Sequence, residues 1–74
     1  MTAPRLDRAI SGQEIRRLRV ALGMSQEYFA FHAGLSKSTV ANAEQGRSTL
    51  SRLAESAIKH LAVAHGVDMD GRAL

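Results

Sequence analysis

The sequence predicts an all-α fold, a bundle of four to five short helices, and three observations lead there. Serine stands just ahead of helix-like stretches at Ser11, Ser25 and Ser36. Glycine follows the first two stretches at Gly23 and Gly34. Residues 48–65 carry apolar positions at helical spacing with no proline or glycine between them. A chain of 74 residues has room for one small domain, and its core is marginal unless packing is efficient or a partner helps.

Residues 1–10 contain Pro4 and mixed charge without a clear period, and are expected to form a loose arm ahead of a domain over residues 11–70. Ser11-Gly12-Gln13-Glu14 is a capping box, in which the serine hydroxyl and the glutamate carboxylate satisfy each other's backbone amides. A first helix starts there. Ile15, Leu18 and Leu22 give it one apolar stripe, and Gly23 ends it.

Ser25 opens a second helix by accepting from a first-turn amide, and Gly34 closes it by taking the left-handed conformation that glycine adopts without penalty. Leu35 is expected to tuck inward and pin the turn. Ser36 caps a third helix whose first turn carries Lys37, Ser38 and Thr39, all able to contact phosphates or base edges. Val40 and Ala43 would face the core, leaving Lys37, Ser38, Ala41 and Asn42 on other faces. Such an outer face of small and polar groups suits a helix lying in a groove.

In residues 48–65, Leu50, Leu53, Ala54, Ala57, Ile58, Leu61 and Ala64 form a continuous stripe, which predicts one long fourth helix. Beyond Gly66 there is length for one further turn or a frayed tail, with residues 71–74 as a C-terminal tail. Val67, Met69 and Leu74 are apolar enough to cover the core or a second copy of the chain.

Gln26, Ala30, Gly34, Leu35, Thr39-Val40, Glu44 and Gly46 stand where the phage repressor and Cro type of helix-turn-helix proteins, the XRE-like family, has Gln, Ala, Gly, an aliphatic, Ser-Ile or Thr-Val, Glu and Gly. The sequence resembles that family. Ile15-Arg16-Arg17-Leu18-Arg19 and Gly23-Met24-Ser25-Gln26 extend the resemblance upstream, and residues 61–68 extend it downstream. It departs from the family in one place. The family has a longer loop, often with proline, before a shorter fourth helix, whereas the stripe in residues 48–65 implies about one extra helical turn here.

The resemblance implies a lambda-repressor-like bundle that binds double-stranded DNA. Lys37, Ser38 and Asn42 match positions that face base edges, and Ser36 is a cap close enough to touch the strand. A lysine can donate to guanine O6 or N7, and an asparagine can make the two-bond contact with adenine N6 and N7. Gln26 matches the glutamine that holds a backbone phosphate and braces the reading helix, at a helix start where the first-turn amides attract the same group. Thr39, Arg47, Ser48, Thr49 and Arg52 are further expected phosphate contacts. Arg19 and Glu44 match a pair that forms an internal salt bridge in some members, so the resemblance gives Glu44 a structural role and not a catalytic one. Phe29 takes the core position of the second helix, and Tyr28 and Phe31 cover the core edge or an interface.

Composition agrees. Ten Lys and Arg against seven Asp and Glu give a net charge of +3 and a pI near 10.2, a balance that favours acidic partners such as nucleic acid. Arg5, Arg8, Arg16 and Arg17 can add nonspecific attraction to DNA, or simply form a solvated face. The absence of cysteine excludes disulfides and thiolate metal sites and suits a reducing cytoplasm, in a bacterial cell or a phage-infected host. No apolar run is long enough to span a membrane, and the polar N-terminus does not read as a signal peptide.

His60 and His65 lack the i, i+4 spacing that aligns two metal ligands on a helix, and no serine stands in a nucleophile turn. No enzyme, cofactor, metal or small-molecule substrate is expected. The expected partners are an operator duplex and a second copy of the chain, because one reading helix covers only a few base pairs. The reading that follows is a Cro-like or minimal repressor acting by operator occupancy. An antitoxin-like module whose main partner is a toxin, or an architectural factor that bends DNA, are the alternatives.

Overall fold

The computed structural model describes residues 10–74, so the expected arm, with Arg5 and Arg8, lies outside the described residues. Four helices follow in order: α1 (Gly12–Ala21), α2 (Gln26–Ala33), α3 (Lys37–Glu44) and α4 (Arg52–Ala64). Each is preceded by a serine in extended conformation whose hydroxyl accepts the amide three residues on, at Ser11, Ser25, Ser36 and Ser51. Those four caps set the helix starts, because each satisfies an amide with no partner inside its helix. At Ser11 the box is complete, with the Ser11 amide donating to Glu14 Oε1 at 3.0 Å.

Gly34 takes φ 72° and ψ 28°, and the Leu35 amide donates back to the Ala30 carbonyl at 2.8 Å, which turns the chain sharply from α2 into α3. One core lies between the helices. Ile15 and Leu18 from α1, Phe29, Ala30 and Ala33 from α2, Val40 and Ala43 from α3, and Ile58, Leu61 and Ala62 from α4 meet in it, with Met24 from the α1–α2 connection. Leu22, Leu35 and Leu50 pack against its margin, so Leu35 does pin the turn.

The fourth helix is shorter than the stripe predicts. Residues 45–51 form a loop and α4 begins at Arg52, because the Ser51 hydroxyl captures the Ala54 amide at 3.2 Å. The extra turn expected over residues 48–51 is absent, and the loop before the fourth helix is present. Leu50 still contributes to the core, but from the loop. The buried arc of α4 runs through Ala54, Ile58, Leu61 and Ala62; Leu53, about 100° away from Ala54 on the helix, is 85% exposed, and Ala64 is exposed too.

After α4 the chain doubles back. Val67 and Ala73 form an antiparallel bridge, the Leu74 amide donates to the Gly66 carbonyl, and Asp68 Oδ1 accepts from the amides of Asp70 and Arg72, each at 2.9 Å. Val67 and Met69 pack on the core, whereas Leu74 is exposed. Arg17 lies 3.5 Å from Asp70 and ties this turn to α1. Among the described residues no helix is long and apolar enough to cross a membrane.

Candidate nucleic-acid interface

The α2–turn–α3 unit presents α3 with one face buried and one face outward. Val40 and Ala43 are buried, whereas Lys37 and Ser38 are exposed and Ala41 and Asn42 are half-buried. The outer face is therefore short-chained, apart from the flexible Lys37 at its N-terminal end. Ser36 Oγ accepts the Thr39 amide at 3.1 Å and shares a hydrogen bond of 2.8 Å with Thr39 Oγ1. These two hydroxyls hold the first turn of α3, and both remain at the surface of the helix start.

Gln45, which caps the C-terminal end of α3, is exposed and stands seven residues after Ser38, two turns along the same edge as Ser38 and Asn42. Sequence reasoning passed over it. The signal that could have found it was this i, i+7 spacing continued past the last helical residue.

Arg19 on α1 is the centre of a polar bracket behind α3. Its Nε donates to Glu44 Oε2 at 2.6 Å, its Nη2 to Glu44 Oε1 at 3.1 Å and its Nη1 to the Met24 carbonyl at 2.9 Å. The side chain of Glu44 is 5% exposed and that of Arg19 is 16% exposed, so the two-bond pair is largely out of water. Burial pushes the Glu44 carboxyl upward, yet the hydrogen bonds from Arg19 and Gln26, with the charges of Arg19 and Arg16, outweigh it and hold the group below the usual carboxylate range. The hydrogen bond to Glu44 raises the already high value of Arg19 despite partial burial, so both groups are charged near neutrality.

Gln26 joins the same bracket. Its Nε2 donates to Glu44 Oε1 at 3.2 Å, which ties the start of α2 to the end of α3. An amide nitrogen carries two hydrogens, so one remains for an acceptor such as a phosphate oxygen. Arg16 is exposed on α1, and Arg47, Ser48 and Thr49 are exposed on the loop after α3; Arg52 is the exposed first residue of α4. The Arg47 amide donates to the Asn42 carbonyl at 2.9 Å, so the loop backbone leaves α3 in a fixed direction while the Arg47 side chain stays in solvent.

On α2, Tyr28 and Phe31 are 53% and 76% exposed, and each packs edge-on against His32, with ring centroids 4.3 Å and 5.4 Å apart. Most of the surface of each ring that faces away from His32 is open to solvent. Among the described residues, no three His, Asp or Glu side chains converge on a point where a metal ion would fit.

The family described as "Helix-turn-helix domain" matches residues 12–74. Among solved structures, the chain is similar to the restriction-modification controller protein C.AhdI from Aeromonas hydrophila, at 35% identity over 81% of this chain and 86% of that one, with a TM-score of 0.65. No curated protein sequence matches.

Proposed function

The chain belongs to the XRE-like helix-turn-helix family of the phage repressor and Cro type, DNA-binding regulators of transcription, and on that premise we propose that it reads one specific operator in double-stranded DNA and represses by occupying it. The observation that carries this reading is α3 itself: capped by Ser36, buried through Val40 and Ala43, and turned outward through Lys37, Ser38 and Asn42. Lys37 and Asn42 supply the base-edge donors and acceptors, with Ser36 and Ser38 beside them. Gln26, Thr39, Arg47, Ser48, Thr49 and Arg52 supply phosphate contacts that set the register of the helix on the duplex. The loop over residues 45–51 supports the share given to Arg47, Ser48 and Thr49, since it leaves all three exposed.

Two copies are required for a site of useful length, with half-sites one helical turn apart. The protein works in the cytoplasm, and needs no cofactor. The likeness to C.AhdI, a restriction-modification controller protein, favours regulation of such genes as its setting. The exposed aromatic face of Tyr28 and Phe31 favours a second reading, an antitoxin-like module that docks on a toxin.

The test is repeated selection of bound duplexes from a random pool near physiological salt, read by sequencing. An enriched inverted repeat is the expected result. Binding without enrichment that disappears steeply as salt rises would overturn sequence reading in favour of charge-driven contact. Copurification of the chain with a toxin would then establish the second reading.

A further inference from the structure

Gly12, the first residue of α1, rests on the far end of α3. A Cβ placed on it would strike the Ala43 carbonyl oxygen and would lie 2.7 Å from the Glu44 carbonyl oxygen and 2.9 Å from its carbon. All three neighbours are backbone, which cannot swing aside as the tip of a side chain can. Gly12 does not have positive φ, whereas Gly23, Gly34 and Gly46 all do, with open space where their Cβ atoms would stand. Those three glycines serve turns. At Gly12 alanine would be the better helix former, so what glycine provides there is close approach.

The place of this contact gives it a consequence. Ala43 and Glu44 are the last two residues before the cap of α3, and Glu44 carries the bracket to Arg19 and Gln26. The amide-rich, positive start of α1 also faces the carbonyl-rich, negative end of α3, so the approach is electrostatically favourable. An eight-residue helix is about 12 Å long. Moving the Glu44 carbonyl out to ordinary contact takes a shift of about 0.7 Å, from 2.7 Å to the 3.4 Å at which such contacts become ordinary, and the closer Ala43 oxygen demands more. Applied at one end of α3, with the Gly34 turn as pivot, this tilts the outward face by a few degrees and displaces Asn42 by several tenths of an ångström. Paired hydrogen bonds to a base edge tolerate displacements of only about 0.5 Å.

We infer that Gly12 is a positioning residue for DNA reading: it lets the first turn of α1 seat the end of α3, and that seat sets the height at which Lys37, Ser38 and Asn42 are presented. The inference rests on the DNA-reading function proposed above. Gly12 touches no DNA; it acts through α3.

The experiment compares Gly12→Ala with Ile58→Val, a core change on α4 that adds no atom against the Ala43 and Glu44 carbonyls, as full-length 15N-labelled chains. In Gly12→Ala the amide shifts should change most at residues 43–47 and at the Arg19 Nε–H, while Ile58→Val leaves these in place. Binding is read on the most enriched duplex of the selection and on a scrambled duplex of equal length. Gly12→Ala should lose about tenfold or more on the enriched duplex, the scale of one base contact, and stay within about twofold on the scrambled one. Shifts confined to the first turn of α1, or a folded variant whose specific affinity stays within about twofold, would overturn the inference.

A wild-type chain that failed to distinguish the duplexes would count against DNA reading, while the shifts at residues 43–47 would still decide the seat. If Gly12→Ala does not fold, native-state hydrogen exchange of the wild type decides instead. The Gln45 and Gly46 amides should exchange in the same opening as those of Ile15 and Leu18. Exchange in an earlier, separate opening would mean that α1 does not hold the end of α3.

Discussion

Helix α3 buries two apolar side chains, Val40 and Ala43, whereas α4 buries four, Ala54, Ile58, Leu61 and Ala62. The difference extends to the kind of force that holds each. Fully burying a side chain the size of Ile58 or Leu61 contributes about 1.5–3 kcal/mol, so α4 is secured by apolar area, which is not directional. Helix α3 has little such area. It relies more on directed contacts: the Ser36 cap at one end, and at the other the Arg19 and Gln26 bonds to Glu44, whereas the Ser51 cap and the Ile10 amide's bond to Glu55 Oε2 at 2.7 Å add to apolar area that α4 already has. A helix whose outer face must be presented at one height benefits from bonds with preferred lengths and angles, whereas a scaffold helix needs only to fill space.

Breaking each anchor should show the contrast in its largest form. Glu44→Ala removes one partner of a mostly buried pair and leaves the Arg19 guanidinium without its carboxylate, a loss of roughly 3–5 kcal/mol. Ile58→Ala opens the core beneath α4 and costs about 2–5 kcal/mol. Urea unfolding near pH 7 will place both losses in one range, and pH will separate them. Because the folded value of Glu44 lies below its unfolded value, its stabilisation is complete above the ordinary carboxylate value of about 4.3 and is lost as pH falls through the lower folded value. The deficit of Glu44→Ala should therefore narrow in acid by the share that the lowered carboxylate value contributes, while that of Ile58→Ala is unaffected by it. Equal persistence of both deficits would mean that Glu44 anchors α3 by packing and not by charge.

A smaller effect tests the opposite end of α3. Ser36→Ala should cost about 1 kcal/mol, the usual value of a serine cap, and Ser51→Ala at the start of α4 should cost a similar amount. The contrast lies in the consequence. Loss of the Ser36 hydroxyl loosens a helix start whose Thr39 hydroxyl is bonded to it, so amide exchange should accelerate through the first turn of α3; loss of Ser51 should leave α4 protected by its apolar face. Equal fraying of the two helices would remove the distinction between cap-held and core-held elements.

The same distinction explains what could be read from the sequence. Ser11, Ser25, Ser36 and Gly34 act on neighbours within a few residues, so their caps and turn are written locally, and the apolar buried positions of α1, Ile15 and Leu18, follow from spacing alone. The start of α4 is different. Ser48 and Ser51 both precede the apolar stripe, and the selection of Ser51 depends on where the loop is released from α3, through the Arg47 amide on the Asn42 carbonyl and the left-handed Gly46. The close approach of Gly12 to Ala43 and Glu44 has no local sign, because its partners are distant in sequence. The Arg19–Glu44 pair was suggested by family resemblance; two opposite charges at that separation carry no such information by themselves. Helical spacing places Lys37, Ser38 and Asn42 away from the core face of α3, and the family resemblance alone makes them candidates for base contact; Gln45 escapes both because it lies past the last helical residue.

The smallest change in stability should accompany the most specific change in binding. Asn42 is half-buried on the outward side of α3, with Val40 and Ala43 carrying the core contacts of that helix. Asn42→Ala, which also installs the better helix former, should shift stability by no more than about 0.5 kcal/mol. Its loss on the enriched duplex should be about 1–3 kcal/mol, concentrated at one base pair, with the salt dependence of binding unchanged because no phosphate contact is removed. Arg47→Ala should do the reverse, weakening binding on all sequences alike and flattening the salt dependence by about one charge. If Asn42→Ala instead lowered the melting temperature by several degrees, Asn42 would belong to the inner, structural side of α3. The base-reading face would then have to be drawn through Ser38, Ala41 and Gln45.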